Sequence, residues 1–156
     1  MIKVIIGEKG TGKTARLIEA VHIAEQDAQG SVIFINKGKR HVLELSHKVR
    51  LVDTDDYSIK SYDEFYGFMC GILSQNYDIA HIFVDSIAKI VNDDLAAFEK
   101  FLNDFAPVAE ANNAEITIIL SMKPEDATDG IKKYIWSIIT MTLKEYQKWY
   151  SFFFNL

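Results

Sequence analysis

The chain has little cysteine, little arginine, no excess of positive charge and no long hydrophobic run. Its one cysteine, Cys70, excludes an internal disulfide, and its apolar surroundings favour a buried, unreactive thiol over a nucleophile. The net charge of −5 gives no overall attraction to nucleic acid or to an anionic membrane. No apolar run approaches transmembrane length, and the first one begins at Ile2, which leaves no room for a signal peptide. These absences predict a cytoplasmic protein.

The composition is that of an ordinary globular protein. Hydrophobic residues make up 49% of the chain and charged residues 25%. A length of 156 residues can bury a core without disulfides or metals. We therefore expect one domain that spans residues 1–156, and we find no internal repeat, low-complexity segment or linker.

The most informative stretch is a glycine-rich segment after the first apolar run. It fits the pattern G-x-x-x-x-G-K-[ST], the phosphate-binding P-loop or Walker A motif, and it leads into an amphipathic segment at residues 15–28. Glycines allow the loop amides to point inward at anionic oxygens, and the following helix adds unpaired N–H donors. The residues predicted to bind nucleotide are Gly7, Glu8, Lys9, Gly10, Thr11, Gly12, Lys13, Thr14 and Ala15. Lys13 is expected to reach the β- and γ-phosphates, and the Thr14 hydroxyl to bind Mg²⁺.

A second dinucleotide motif overlaps the first. Residues 10–15 also fit G-x-G-x-x-G/A, the Rossmann fingerprint, which expects an acidic residue near the end of the second strand. The second predicted strand ends at Asn36, and the pair Lys13 and Thr14 has no role in that scheme. The P-loop interpretation is therefore favoured.

Apolar runs alternate with helical stripes along the chain. Strands are predicted at residues 2–6, 31–35, 79–84, 116–120 and 135–141, with a brief further strand considered at 49–52. Helices are predicted at 15–28, at 62–75 after a capping box of Ser61 and Glu64, and from Asp93 onward with Asn92 as the cap. Pro107 is expected to kink or end the last of these helices. The predicted fold class is α/β, a three-layer sandwich around a mostly parallel five-stranded sheet.

A second candidate site residue lies at the end of the third predicted strand. Asp85 follows at least four apolar residues, and ligands in open parallel sheets bind at the carboxyl ends of strands. With a P-loop upstream, this pattern favours a Walker B acid that holds Mg²⁺ through water. A plain cap of the next segment is the structural alternative. Lys13 and Asp85 are the residues expected to act in catalysis, and Thr14 and Asp85 those expected to hold the metal.

On residues 7–14 and 79–85, the chain resembles the P-loop NTPase superfamily, and its RecA- and AAA-type division more than the GTPase one. The resemblance implies a P-loop NTPase fold in which the strand at 116–120 lies between the P-loop strand and the Asp85 strand. It also implies that Ser121, at the tip of that strand, is a polar sensor near the γ-phosphate. The implied cofactors are ATP and Mg²⁺.

One feature separates the chain from typical hydrolytic members of that division, and another bears on the choice of nucleotide. Ser86 stands where a glutamate often follows the Walker B acid, and Glu64 and Glu125 are the alternatives considered for its role. The guanine-reading pattern [NT]-K-x-D begins at Asn36 but lacks its aspartate, which favours ATP over GTP.

Two surface stretches suggest partners. Residues 37–50 are basic but lack interleaved aromatic residues, so a solvated loop is favoured there over a phosphate or nucleic-acid contact or an arginine finger for a neighbouring subunit. The tail at 143–156 is aromatic and is interpreted equally as core or as a surface for a homo-oligomer or protein partner. Its aromatic residues are Tyr146, Trp149, Tyr150, Phe152, Phe153 and Phe154.

Three functions remain open at this point. The first is a Mg²⁺-dependent ATP hydrolase, in which catalysis is mostly positioning and electrostatics. The second is a small-molecule or nucleotide kinase, which the scarcity of arginine weakens, since the chain has only Arg16, Arg40 and Arg50. The third is a non-hydrolysing ATP-dependent switch or assembly module, which Ser86 favours.

Overall fold

The computed structural model of the chain describes residues 1–27, 29–41 and 43–138. Over these residues, the chain forms six strands and five α-helices. The strands are β1 (Ile2–Gly7), β2 (Ser31–Asn36), β3 (Val49–Asp53), β4 (Ile79–Val84), β5 (Glu115–Ser121) and β6 (Ile135–Ile138). The helices are α1 (Lys13–Asp27), α2 (Tyr62–Gln75), α3 (Ile87–Ile90), α4 (Leu95–Ala111) and α5 (Asp129–Lys132).

The six strands form one parallel sheet in the order β3-β2-β4-β5-β1-β6. The predicted α/β class is confirmed, and β5 lies between β1 and β4 as the resemblance implied. The prediction of five strands is wrong, because β3 pairs with β2 and extends the sheet at its edge. In β3, the charged residue Arg50 stands between the apolar residues Val49 and Leu51. This pattern is typical of an edge strand that is exposed on one side.

Helices cover the sheet on both faces. Neighbouring residues of a strand point to opposite faces, so each central strand contributes apolar side chains to both helix layers. Ile5 and Phe34 pack on one side against Leu17 and Val21 of α1. On the other side, Val4, Ile6, Ile33 and Ile35 pack within a larger core to which α2 and α4 contribute the aromatic residues Tyr62, Phe65, Phe98, Phe101 and Phe105. The sheet is thus the middle of three layers, as predicted.

Helix α2 has the predicted ends. The Ser61 hydroxyl accepts a hydrogen bond from the Glu64 amide at 3.1 Å, and the Glu64 carboxylate accepts one from the Ser61 amide at 3.2 Å. This reciprocal pair satisfies two of the donors that a helix start leaves unpaired.

Helix α4 begins and ends differently from the prediction. Asp94, not Asn92, caps it, since the Asp94 carboxylate accepts from the Ala97 amide at 2.9 Å. The helix also continues through Pro107 to Ala111. An interior proline costs roughly 3 kcal/mol, but each large apolar side chain that becomes buried contributes about 1.5–3 kcal/mol. The fully buried stripe of Phe98, Leu102 and Phe105 outweighs the break.

Several smaller features complete the description. The connection from β2 to β3 holds only turns and bends in its described residues, and Leu43 in it is almost fully exposed. Residues 139–141 of the last predicted strand and the aromatic tail at 143–156 lie outside the described residues.

Among the described helices, none combines the length and the apolar character needed to cross a bilayer.

Candidate functional site

Three central strands end at the same edge of the sheet, and each delivers a predicted site residue there. Gly7 of β1 is in register with Ser121 of β5, and the Met122 amide donates to the Gly7 carbonyl at 3.1 Å. Asp85 follows β4 on the other side of β5, and its amide donates to the Ile35 carbonyl of β2 at 2.9 Å. The resulting crevice, at the carboxyl ends of parallel strands, is where open α/β sheets bind ligands.

The loop from Gly7 to helix α1 is curled by two left-handed glycines. Gly10 has φ +81° and Gly12 has φ +85°, angles that side chains with a Cβ rarely adopt. The curl is tied by the Glu8 carbonyl, which accepts from the Thr11 hydroxyl at 2.7 Å and from Lys13 Nζ at 2.5 Å. A backbone held in this shape can present successive amides to an anion.

Lys13 is buried at the first turn of α1, with 5% of its surface exposed. Burial lowers the pKa of its ammonium from the ordinary value of 10.5, the Asp85 carboxylate opposes that effect, and Lys89 adds to it. The described residues give Lys13 one hydrogen-bond acceptor, the neutral Glu8 carbonyl. An anion beside this ammonium would therefore be strongly stabilised.

Thr14 and Asp85 meet although 71 residues separate them in sequence. The Thr14 hydroxyl donates to Asp85 Oδ1 at 3.0 Å, and the Ser86 hydroxyl donates to the same oxygen at 3.0 Å. Asp85 is buried, with 6% of its surface exposed. One hydroxyl and one carboxylate are the hard oxygen donors that Mg²⁺ prefers, and Mg²⁺ usually takes its other ligands from water and phosphate. The donor set therefore fits the metal that the resemblance implies.

A cavity of about 340 Å³ opens beside the loop, within the size range of small-molecule sites. It is lined by Lys9, Gly10, Gly12, Lys13, Thr14, Ala15, Ser86, Ala88, Lys89 and Ser121. Six of the nine residues predicted to bind nucleotide are in this lining, together with the predicted sensor Ser121. The other three, Gly7, Glu8 and Thr11, do not line the cavity. They take part in the hydrogen bonds to the Gly7 and Glu8 carbonyls that hold the loop in place.

Two further residues with ionisable side chains lie at this edge and were not predicted from the sequence. His41, from the β2–β3 connection, places Nε2 3.7 Å from Asp85 Oδ2 and Nδ1 2.8 Å from Glu44 Oε1. Lys89 lies on α3 and lines the same cavity as the loop. Neither residue belongs to a sequence motif, and only the paths of the β2–β3 connection and of α3 bring them to the site.

The alternatives considered for the missing glutamate lie elsewhere. The Glu64 carboxylate caps α2 by accepting from the amides of Lys60 and Ser61 at 2.6 and 3.2 Å. Glu125 lies in a 3₁₀ turn, Pro124–Asp126, and is absent from the described cavity lining. Within the described residues, no cluster of three or more histidine, cysteine or acidic side chains could hold a metal ion unaided.

Substituting Gly10 by alanine should separate backbone strain from steric conflict. No atom lies within 4 Å of an added Cβ, so the cost is that of a left-handed alanine, about 1–2 kcal/mol. For a chain of this length, that lowers the melting temperature by about 2–8 °C. Gly67→Ala is the matched control, because Gly67 lies within α2 and also has no atom within 4 Å of an added Cβ. Alanine is favoured over glycine inside a helix, so this variant should be slightly more stable than the wild type. Equal melting shifts in a calorimetric scan would contradict the strained loop.

The comparisons with known proteins concern the fold. No protein-family model matches the chain, and no curated protein matches its sequence. The chain is similar to a solved structure of PCH-2 from C. elegans, with a TM-score of 0.53 and 10% sequence identity. The match covers 90% of this chain but only 35% of that one. At this identity the likeness shows a shared fold and carries no conclusion about activity.

Proposed function

We propose that the chain binds ATP with Mg²⁺ at the edge loop of residues 7–14 and hydrolyses it. The observation that carries this proposal is Lys13, a buried ammonium at the start of a helix, beside a loop curled by Gly10 and Gly12. A buried charge without an ionic partner is costly, and a polyphosphate in the adjoining cavity would supply that partner.

The residues have separate roles in this proposal. The loop amides and the start of α1 hold the phosphate chain, and Lys13 neutralises its charge at the β- and γ-positions. Thr14 and Asp85 would hold Mg²⁺, which would neutralise phosphate charge and orient the terminal group. Ser121 lines the cavity beyond the loop and is suited to donate to the terminal phosphate. Rate enhancement at such a site comes from positioning and electrostatics.

The identity of the nucleotide rests on weaker support. The guanine-reading pattern is absent, which favours ATP, and the structural likeness to PCH-2 adds only a shared architecture.

A second candidate function is an ATP-dependent switch that does not hydrolyse its ligand. It is favoured by Ser86, whose hydroxyl donates to Asp85 at 3.0 Å where hydrolytic relatives often carry a glutamate that orients water. The backbone of Ser86 is also left-handed, with φ +55°. A longer side chain at this position would not remove the steric strain of that conformation.

Turnover and binding, measured together, distinguish the two functions. We expect ADP and phosphate to accumulate in the presence of ATP and Mg²⁺, above a blank of the Lys13→Met variant. Binding without accumulation would assign the switch function. Absence of ATP binding in the wild-type protein would contradict both.

A further inference from the structure

We propose that Lys89 is a second phosphate-binding cation, which contacts the terminal phosphate of the bound nucleotide from helix α3. The inference rests on the proposed function, because it assigns a further residue to the same cavity. Neither the motifs of the sequence nor the comparisons assign Lys89 a role.

The placement of Lys89 follows from the short helix that carries it. Ile87 and Ile90 are buried and fix α3 against the core, so the residues between them face outward. Those residues, Ala88 and Lys89, both line the cavity, together with Ser86. The left-handed turn at Ser86 directs the chain from the end of β4 into this position.

The electrostatic surroundings of Lys89 favour an anion. Within the described part of the chain, its ammonium forms no salt bridge, although the structure contains such pairs at Lys3, Lys100 and Lys132. Lys9 and Lys13 line the same cavity, so three ammonium groups surround one space. Lys13 and Lys89 are both cations, and like charges that line one cavity repel each other. A polyphosphate between them would turn this repulsion into attraction.

The position along the phosphate chain also follows from the geometry. Lys89 follows Asp85 by four positions, and it lines the cavity together with Thr14, whose hydroxyl donates to Asp85. Lys13 in such a loop reaches the β- and γ-phosphates, so a cation from the segment that follows Asp85 meets the terminal group. Lys89 should therefore distinguish a triphosphate from a diphosphate.

The test compares affinities for ATP, ADP and inorganic tripolyphosphate by isothermal titration calorimetry, with the wild-type chain, Lys89→Gln, Lys89→Arg and Lys60→Gln. Lys60 is an exposed lysine outside the cavity lining and serves as the control for net charge. We expect Lys89→Gln to weaken ATP and tripolyphosphate binding about tenfold and to leave ADP binding within about twofold. Lys89→Arg should retain most of the affinity, and Lys60→Gln all of it. Because Lys89 is exposed, its variants should have the same melting temperature as the wild type.

The outcomes separate this inference from the proposed function. If wild type binds ATP and Lys89→Gln retains the full preference for ATP over ADP, the role of Lys89 is refuted while the proposed function stands. If wild type binds tripolyphosphate but not ATP, the nucleotide proposal fails, and the tripolyphosphate affinities still decide the role of Lys89. If wild type binds neither, both proposals are wrong.

Discussion

Replacing Lys13 by methionine is expected to weaken ATP binding about 30-fold or more, because removing one partner of a buried charge pair costs about 2–5 kcal/mol. Methionine keeps an apolar stem of similar length and removes the ammonium, with its charge and its hydrogen bond to the Glu8 carbonyl. The affinity is measured by titration calorimetry at fixed Mg²⁺. The matched control is Lys60→Met, which removes an exposed lysine outside the cavity and should bind ATP as wild type does. Equal ATP affinity in Lys13→Met and Lys60→Met would contradict the assignment.

The same variant should not be less stable than the wild type. Burial lowers the pKa of the Lys13 ammonium in the folded state, so the unfolded chain binds that proton more tightly. The charged form therefore costs stability at neutral pH, and stability rises with pH between the lowered folded pKa and the ordinary value of 10.5. Methionine removes this cost, and the Glu8 carbonyl keeps the Thr11 hydroxyl as its donor. A large fall in the melting temperature of Lys13→Met would indicate a structural role instead.

Replacing Asp85 by asparagine is expected to remove most of the effect of Mg²⁺ on ATP binding. The amide oxygen can still accept from the Thr14 and Ser86 hydroxyls, so the local contacts persist while the negative charge is lost. Because Asp85 is predicted to hold the ion through water, the expected loss of Mg²⁺ affinity is about 10- to 100-fold. ATP affinity in EDTA should be unchanged or slightly higher, since one repelling charge is gone.

The control for the Asp85 variant is Asp129→Asn, which removes a carboxylate whose side chain is 99% exposed and so has the same effect on net charge. It should retain the full Mg²⁺ dependence of ATP binding. If Asp85→Asn also retained it, Asp85 would be a structural cap of the β4 end and not a metal residue. Mg²⁺ alone should bind weakly to the wild type, because the described residues hold no metal cluster of their own.

Most of the strand and helix order could be predicted because it depends on local signals. Continuous apolar runs at β1, β2, β4 and β5 indicate strands buried on both faces, and the Ser61 and Glu64 pair marks the start of α2. The edge strand β3 is short and carries Arg50 among its apolar residues, so residues 49–52 give only a weak strand signal. The course of α4 through Pro107 depends on packing against α2 and the sheet, which local propensity does not contain.

The candidate site also contains some residues that local sequence patterns predict and others that they do not. Lys13, Thr14 and Asp85 belong to local patterns, and the sheet brings them together as the parallel arrangement requires. Their roles in binding and catalysis remain predictions. His41 could not be predicted, since it reaches Asp85 from an irregular connection with a left-handed backbone at φ +62°. Lys89 could not be predicted either, because its position depends on the turn at Ser86 and on the burial of Ile87 and Ile90.

The central claim is that the curled loop and Lys13 enclose a nucleotide polyphosphate. The most direct measurement is a crystal structure of the chain grown with Mg²⁺ and a non-hydrolysable ATP analogue. The account predicts the triphosphate in the cavity beside Gly10 and Gly12, with Lys13 Nζ moved from the Glu8 carbonyl onto phosphate oxygens and the ion beside Thr14. A nucleotide bound away from this loop would contradict it.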